Sequence, residues 1–306
     1  MKMTSLTKRI LGLALGCAAF AALATGCSGS AESASADEAQ ASSDSVLTQV
    51  QEEGVVQVGI ANNNTPMNFV DDDGNLVGFD VDLANALAEE MGVEAEIVTV
   101  DNDTRIAYLT NGTVDMSITN LSHTTSRDEQ IDFAEPSYIW DGKVAYAKKG
   151  QFNEIIDLAG KKIAIDQGSS AAAAIVKAIT DQGGEEPELV EFNGNAECFQ
   201  ALQDGKVDAS AQDSIICSGI AGELGTDYET VGGFFSGSLY GIGVPSNDSA
   251  WRDEVSFTLQ KLMQNGTYDE IYNKWFGEDS DYHLDYDVRP LLPSNFGENV
   301  LYTWPE

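Results

Sequence analysis

From Val46 onward the sequence alternates short runs of strand-forming residues with runs of helical spacing, and it does so in two successive blocks. The first block spans about 46–146 and the second about 147–238. Strands that alternate with helices predict α/β layers with a mostly parallel sheet, because a parallel pair needs a crossover connection. Two similar blocks predict two lobes with a cleft between them that can enclose a polar ligand.

After the second block the chain continues with "GSLYGIGV" at 237–244 and a helical run at 250–277, which we expect to form a terminal helix. Two similar halves with a returning tail predict two lobes joined by two crossing hinge strands. The predicted bounds are 46–146 plus 239–277 for lobe 1, 147–238 for lobe 2, and 278–306 for a C-terminal extension that packs on a lobe.

The N-terminal segment has the composition of an export signal. Three basic residues precede a short apolar stretch and small residues, which indicates a secretory signal at 1–26. Cys27 follows "LATG" and resembles the lipidated cysteine of bacterial lipoproteins. Residues 27–45 contain no aromatic residue and no aliphatic residue larger than alanine, which predicts a disordered tether. We expect an exported protein whose lipid anchors it to the outer face of the cell membrane.

Charge and composition exclude several kinds of partner. The formal net charge of -34 argues against nucleic acid and anionic membrane surfaces. The two histidines, His123 and His283, belong to no cluster with metal-ligand spacing, so we predict no metal and no cofactor. Cys198 and Cys217 both lie in the exported second lobe, which leaves a disulfide between them open.

Seven segments, in order from about Gly54 to Gly277, resemble the polar amino-acid-binding proteins of ABC importers, family 3 of the solute-binding proteins. The resemblance implies a type II periplasmic-binding-protein-like fold with two lobes. It also implies a monomer that captures a polar L-amino acid and delivers it to the permease subunits of an importer. The segments are GFDVDLANALAEEMGV, LTNGTVDMSIT, TTSRDEQIDFAEPSY, DLAGKKIAIDQGSS, LQDGKVDASAQD, YGIGVP and NGTYDEIYNKWFG.

Every amino acid has an α-carboxylate and an α-ammonium group, and its site must offer a partner to each. Arg127, in "HTTSR", matches the arginine that binds the α-carboxylate in the family, and its planar guanidinium can donate two parallel hydrogen bonds. The competing interpretation is an ion pair with Asp128 or Glu129. The resemblance assigns the α-ammonium to Asp213, which could also serve as a helix N-cap.

Four other residues match positions that contact the ligand in relatives. Ser169 and Ser170 stand at a helix start, where free backbone N–H groups can bind an anion, although a plain serine cap is the alternative. Asn120 and Ser122 match positions where relatives use a carbonyl and a hydroxyl, although turn chemistry is the alternative. Since these anchors come from both lobes, binding and lobe closure should be coupled.

The side-chain pocket decides which amino acid is bound. Asn64 stands where many relatives have an aromatic clamp, and Ala61 replaces the acidic residue of basic-amino-acid binders. Arg105, in "TRIAYLTNGTVD", resembles the arginine that meets the side-chain carboxylate in glutamate/aspartate binders, unless it forms a surface ion pair with Asp101 or Asp103. The sequence therefore favours glutamate or aspartate, with glutamine, asparagine or cystine as alternatives.

Two other classes of protein compete with a transport receptor. A few members of the fold are dehydratases of small cyclic acids, but the sequence offers no general acid or base beyond the ligand anchors. A sensor domain normally shares its chain with a signalling or membrane segment, and the sequence shows none. We therefore predict a binding protein without catalytic activity.

Overall fold

The structure is a computed structural model that describes residues 45–224 and 227–290. The predicted signal peptide, Cys27, the tether up to residue 44 and residues 291–306 lie outside the described residues. The helices are α1 (Val46–Glu53), α2 (Phe79–Met91), α3 (Arg105–Thr110), α4 (Thr125–Asp128), α5 (Ala171–Thr180), α6 (Asn195–Gln203), α7 (Ser214–Leu224), α8 (Ser249–Asn265) and α9 (Thr267–Phe276), with a 3-10 turn at Ile155–Leu158. The strands are β1 (Val55–Ile60), β2 (Asn63–Asn64), β3 (Asn68–Val70), β4 (Leu76–Val77), β5 (Glu94–Thr99), β6 (Met116–Ser117), β7 (Asp132–Lys148), β8 (Lys162–Asp166), β9 (Glu188–Phe192), β10 (Ala209–Asp213) and β11 (Tyr228–Val244).

Two long strands join the halves of the main sheet. β7 and β11 are each 17 residues long and pair antiparallel to each other. β6, β1 and β5 follow on the β11 side and are parallel to one another, and we call them the first trio. β10, β8 and β9 follow on the β7 side, are also parallel, and form the second trio. Each half is therefore a parallel sheet, and the two halves meet at an antiparallel pair.

Helices cover both trios and bury their apolar side chains. The largest core contains Phe79 of α2, Val58 of β1 and Trp251 of α8. Two further cores belong to the second trio, one with Ile175 of α5 and one with Phe199 of α6. Parallel strands that are covered by helices are buried on both faces, which explains the mostly apolar inner strands β1 and β8, whereas the edge strands β5 and β9 carry exposed glutamates.

The expectation of one terminal helix over 250–277 is wrong. α8 ends at Asn265 and α9 begins at Thr267, with Gly266 between them at φ 94°. Glycine adopts this left-handed conformation without the steric cost that a Cβ atom brings, so it ends α8 and redirects the chain. The apolar spacing on both sides of Gly266 is helical, and only the backbone conformation of that one residue separates the two helices.

The described part of the C-terminal extension packs against β7. Leu284 and Val288 are buried, and the carbonyl oxygen of Val288 accepts a hydrogen bond from the Trp140 N–H at 2.7 Å. Cys198 and Cys217 are both buried free thiols. Across the two described ranges, no helix combines the length and apolar character that a membrane span needs.

Trp251 offers a test of the largest core. Its side chain is fully buried, and its Nε1–H donates to the carbonyl oxygen of Asp115 at 2.8 Å. We expect Trp251→Phe to lower the free energy of unfolding by about 2–3 kcal/mol, because it leaves a cavity and a buried carbonyl without its donor. Urea unfolding measures this loss. Trp140→Phe is the control, since the Trp140 side chain is 41% exposed; an equal loss in both variants would contradict the assigned core.

Candidate functional site

A cavity of about 870 Å³ opens beside the long strands β7 and β11. Its walls include Ser122 and Arg127 from the segment between β6 and β7, and Ser169 and Ser170 from the segment before α5. Lys143 of β7 also lines it. Four of the eight predicted ligand residues therefore share one cavity, and its volume lies in the range of small-molecule sites.

The guanidinium of Arg127 connects segments from the two halves of the sheet. Its Nη1 donates to the carbonyl oxygen of Ser122 at 2.6 Å, and its Nη2 donates to the carbonyl oxygen of Gly168 at 3.0 Å. Asp128, the competing partner, instead lies 2.8 Å from Nε2 of His123. Burial lowers the pKa of Arg127 to about 10, so the side chain remains a cation at neutral pH.

Serine hydroxyls form a second connection between the halves. Ser170 Oγ donates to Ser122 Oγ at 3.1 Å, and Ser122 Oγ lies 3.0 Å from Ser238 Oγ of β11. The Ser169 hydroxyl accepts the N–H of Ala171 at 3.2 Å. The capping interpretation therefore fits Ser169, whereas the Ser170 side chain faces the opposite segment of the cavity.

Arg105 begins α3 and is buried, with 3% of its surface exposed. Its Nη1 donates to the carbonyl oxygen of Thr119 at 2.7 Å, while its Nε has no hydrogen-bond partner among the described residues. This burial contradicts the interpretation of a surface ion pair with Asp101 or Asp103. Burial, and then the positive charge of Arg127, lower the pKa of Arg105 to about 9. The Arg105 guanidinium is therefore a buried cation, and its Nε–H is a hydrogen-bond donor without an acceptor among the described residues.

Asn102 lies three residues before Arg105, and the carboxylate of Asp166 is near enough for the charge of Arg105 to affect its pKa. Asn102 Nδ2 donates to Asp166 Oδ2 at 2.5 Å, which joins the loop after β5 to the end of β8. Asn102 Oδ1 has no partner within the described ranges. Burial raises the pKa of Asp166 to about 6, and the nearby Asn102 and Arg105 oppose that rise. An unused acceptor and an unused donor thus belong to residues three positions apart in the chain, and each costs about 1–3 kcal/mol while it stays buried without a partner.

Asn64 and Asn120 belong to a network of buried polar side chains. Asn64 Oδ1 accepts from Asn195 Nδ2 at 2.7 Å, and Asn64 Nδ2 donates to Asn68 Oδ1 at 2.9 Å. Asn68 Nδ2 donates to Asp80 Oδ2 at 2.6 Å, and the same oxygen accepts the N–H of Asn120 at 2.8 Å. Both polar groups of Asn64 are therefore used within the protein, and a ligand contact for either asparagine remains a prediction.

Asp213 ends β10 and lies directly opposite Lys143 of β7. Lys143 Nζ is 2.7 Å from Asp213 Oδ1, and both side chains are almost wholly buried, at 3% and 4% exposed. The N-terminus of α7 uses a different carboxylate, because Asp141 Oδ2 accepts the N–H of Ile215 at 3.1 Å. The capping interpretation of Asp213 thus gives way to a buried ion pair.

Sequence reasoning missed Lys143 and Asp166. The signal for Lys143 is a lysine inside the apolar strand "GKVAYA". The signal for Asp166 is an acidic residue at the carboxyl end of a buried strand, where ligands bind in open α/β sheets. Neither signal indicates which residue pairs with Lys143 or Asp166.

The model of the bacterial extracellular solute-binding proteins, family 3, matches residues 56–278. The chain belongs to this family. The glutamine-binding protein GlnH of Bacillus subtilis (strain 168) is 34% identical over 211 residues, which are 67% of this chain and 75% of GlnH. The glutamate/aspartate import solute-binding protein of Escherichia coli (strain K12) is 21% identical over 279 residues, 88% of each chain.

A solved structure of an ancestral arginine-binding protein bound to glutamine is 34% identical to this chain. It superposes with a TM-score of 0.67 and covers 74% of this chain and 99% of its own. The predicted fold class is therefore confirmed. The names of these relatives differ in their amino acid, so membership of the family leaves the ligand to be argued from the site.

Gly168 tests the contact between the two halves. A Cβ atom there would lie 2.7 Å from the carbonyl oxygen of Asn102, and its φ is 76°. We expect Gly168→Ala to push the loop after β8 away from the loop after β5, and small-angle X-ray scattering should show a larger radius of gyration than for the wild type. Gly183→Ala is the control, because its φ is 82° but no atom lies within 4 Å of its added Cβ. Equal radii for the two variants would count against the contact.

Proposed function

We propose that this protein is the amino-acid-binding component of an ABC importer and that it captures a polar L-amino acid, with glutamate and aspartate favoured. The observation that carries the proposal is Arg105, a buried guanidinium with an unused Nε near the cavity-lining Arg127. The proposal assigns no catalytic role to any residue. It includes export and a lipid anchor at Cys27.

The α-carboxylate binds at Arg127 in this proposal. Arg127 now donates to two backbone carbonyl oxygens, and a carboxylate is a stronger acceptor than either. The Ser170 hydroxyl and the N-terminus of the ten-residue helix α5 face the same cavity and favour an anion. One ligand group would thus hold segments from both halves, which couples binding to their closure.

The side-chain carboxylate binds at Arg105. The positive charge of Arg127 lowers the pKa of Arg105, so an anionic partner at each guanidinium would stabilise the two nearby cations. A dicarboxylic amino acid supplies both partners, one for Arg127 and one for Arg105. A charge-assisted hydrogen bond to Arg105 Nε would also satisfy a donor that is otherwise buried without an acceptor.

Glutamine or asparagine is the second candidate, favoured by Asn102. A side-chain amide can donate to the unused Asn102 Oδ1 while its oxygen accepts from Arg105 Nε, whereas a carboxylate has no hydrogen to donate. Ionised Asp166 beside Asn102 also favours a donor over a second negative charge. The similarity to a glutamine-binding protein agrees with this candidate.

Calorimetry with L-glutamate, L-aspartate, L-glutamine, L-asparagine, L-cystine and L-arginine tests both candidates. We expect Arg127→Ala to weaken every amino acid by about 100-fold, because truncating one partner of a buried charge pair costs about 2–5 kcal/mol. Arg105→Ala should weaken glutamate and aspartate far more than the amides. Arg252→Ala, at an exposed arginine beside Asp253, is the control. Equal losses across the panel for Arg105→Ala would remove its proposed role in specificity.

The pH dependence of binding separates an acidic from an amide ligand. The pKa of Asp166 is raised to about 6, so Asp166 loses its negative charge as the pH falls from 7.5 to 5.5. Glutamate keeps its side-chain charge there, since its pKa is about 4.3. Glutamate affinity should therefore rise as the pH falls, because repulsion by Asp166 is removed, whereas glutamine affinity should fall. Asp166→Asn should remove the pH dependence of both affinities. If the pH dependence is unchanged in this variant, a group other than Asp166 causes it.

A further inference from the structure

Lys143 is a cavity-lining lysine with its charge already paired. Its Nζ lies 2.7 Å from Asp213 Oδ1 and 3.4 Å from Ser238 Oγ, and only 3% of the side chain is exposed. The sequence resemblance assigns Asp213 to the α-ammonium of a ligand. The ammonium group of Lys143 therefore already pairs with the carboxylate that the α-ammonium of an amino acid would use.

The Lys143–Asp213 pair is fixed by strand register, independently of contacts between the halves. Lys143 and Asp213 are direct antiparallel partners between β7 and β10, and residues directly opposite each other have Cβ atoms about 4.5–5.5 Å apart. The contacts of Arg127 with Gly168 and of Ser170 with Ser122, in contrast, join loops from different trios. Opening the cavity would break those contacts and leave the Lys143–Asp213 pair in place.

Electrostatics determine what the pair does to a ligand. Lys143 neutralises Asp213, so an α-ammonium that enters brings a second cation to a carboxylate that already has one. Asp141 is a neighbouring carboxylate, but the Ser214 hydroxyl and the N–H of Ile215 already donate to it. The electrostatic gain that an α-ammonium would obtain from a free carboxylate is therefore reduced at this site, because the Lys143 ammonium carries the same charge and repels it.

We propose that Lys143 sets the ligand class of this cavity, so that the protein binds carboxylic acids that lack the α-ammonium group as well as the corresponding amino acids. The proposal rests on the proposed function in one respect, the binding of the α-carboxylate by Arg127. Lys143 gives Asp213 the positive charge that the ligand's ammonium would otherwise supply. Arg127 and Ser170 bind the carboxylate that both kinds of ligand share.

Calorimetry with matched ligands tests this inference. L-glutamate is compared with glutarate, and L-glutamine with 4-carbamoylbutanoate, because each pair differs only in the α-ammonium group. In the wild type we expect the two dissociation constants of the better-bound pair to agree within about tenfold, a difference of about 1.4 kcal/mol. A wild-type preference of 1,000-fold for the amino acid, on the order of 4 kcal/mol, would overturn the inference.

Lys143→Met should leave Asp213 free to accept the α-ammonium. We expect the preference for the amino acid over its matched acid to rise at least tenfold in this variant. Lys148→Met is the control, because Lys148 is an exposed lysine at the end of the same strand and should keep the wild-type ratio. An unchanged ratio in folded Lys143→Met would overturn the inference.

The double variant Lys143→Met/Asp213→Asn gives a second test, because it removes both charges of the pair and leaves no unpaired charge in the fold. When Lys143 already neutralises Asp213, removing both charges together should change the affinities of an amino acid and its matched acid by the same factor. A selective loss of the amino acid would show that Asp213 binds the α-ammonium directly, against the inference. Failure of all four compounds and of the wider amino-acid panel would overturn the proposed function itself, whereas amino-acid binding without these ratios would overturn only the role of Lys143.

Discussion

The antiparallel pairing of β7 with β11 is the constraint on which the rest of the structure depends. In the described sheet, β11 pairs with β6 of the first trio and β7 pairs with β10 of the second trio. The β7–β11 pair therefore connects the two trios. Each trio is a parallel sheet that needs helices on its faces. The long pair determines the order in which the two trios lie in the sheet. Lys143 of β7 and Ser238 of β11 line the cavity, so the same pair also forms one wall of the candidate site.

Contacts between loops of the two halves form the opposite walls. Arg127 donates to the carbonyl oxygen of Gly168, and the Ser170 hydroxyl donates to Ser122. Each is a hydrogen bond that a ligand or water can replace. Its net contribution to stability is about 0.5–1.5 kcal/mol for the neutral serine pair and about 1.5–3 kcal/mol for the charged Arg127. Weak contacts of this kind suit a site that must open and close, since a ligand need only exchange them for stronger charged ones.

Several charged side chains are buried, and burial shifts their pKa values. Asp80 accepts hydrogen bonds from Tyr138, Asn68 and Asn120, yet burial raises its pKa to about 7. Burial lowers the pKa of Arg105 to about 9. Such groups are costly to desolvate, and titratable residues with shifted pKa values are common at functional sites. The formal net charge of -34 therefore says little about the local field that a ligand meets.

The sequence by itself determined the α/β class, the strand at Val55–Ile60 and the cavity residues Arg127 and Ser170, because periodicity, turn residues and motifs are local. Only the tertiary structure decided that Gly266 separates two helices and that Arg105 is buried. It alone placed Lys143 against a carboxylate 70 residues further along the chain. Burial and cross-strand register depend on which elements pack together, and a local sequence pattern does not determine that packing.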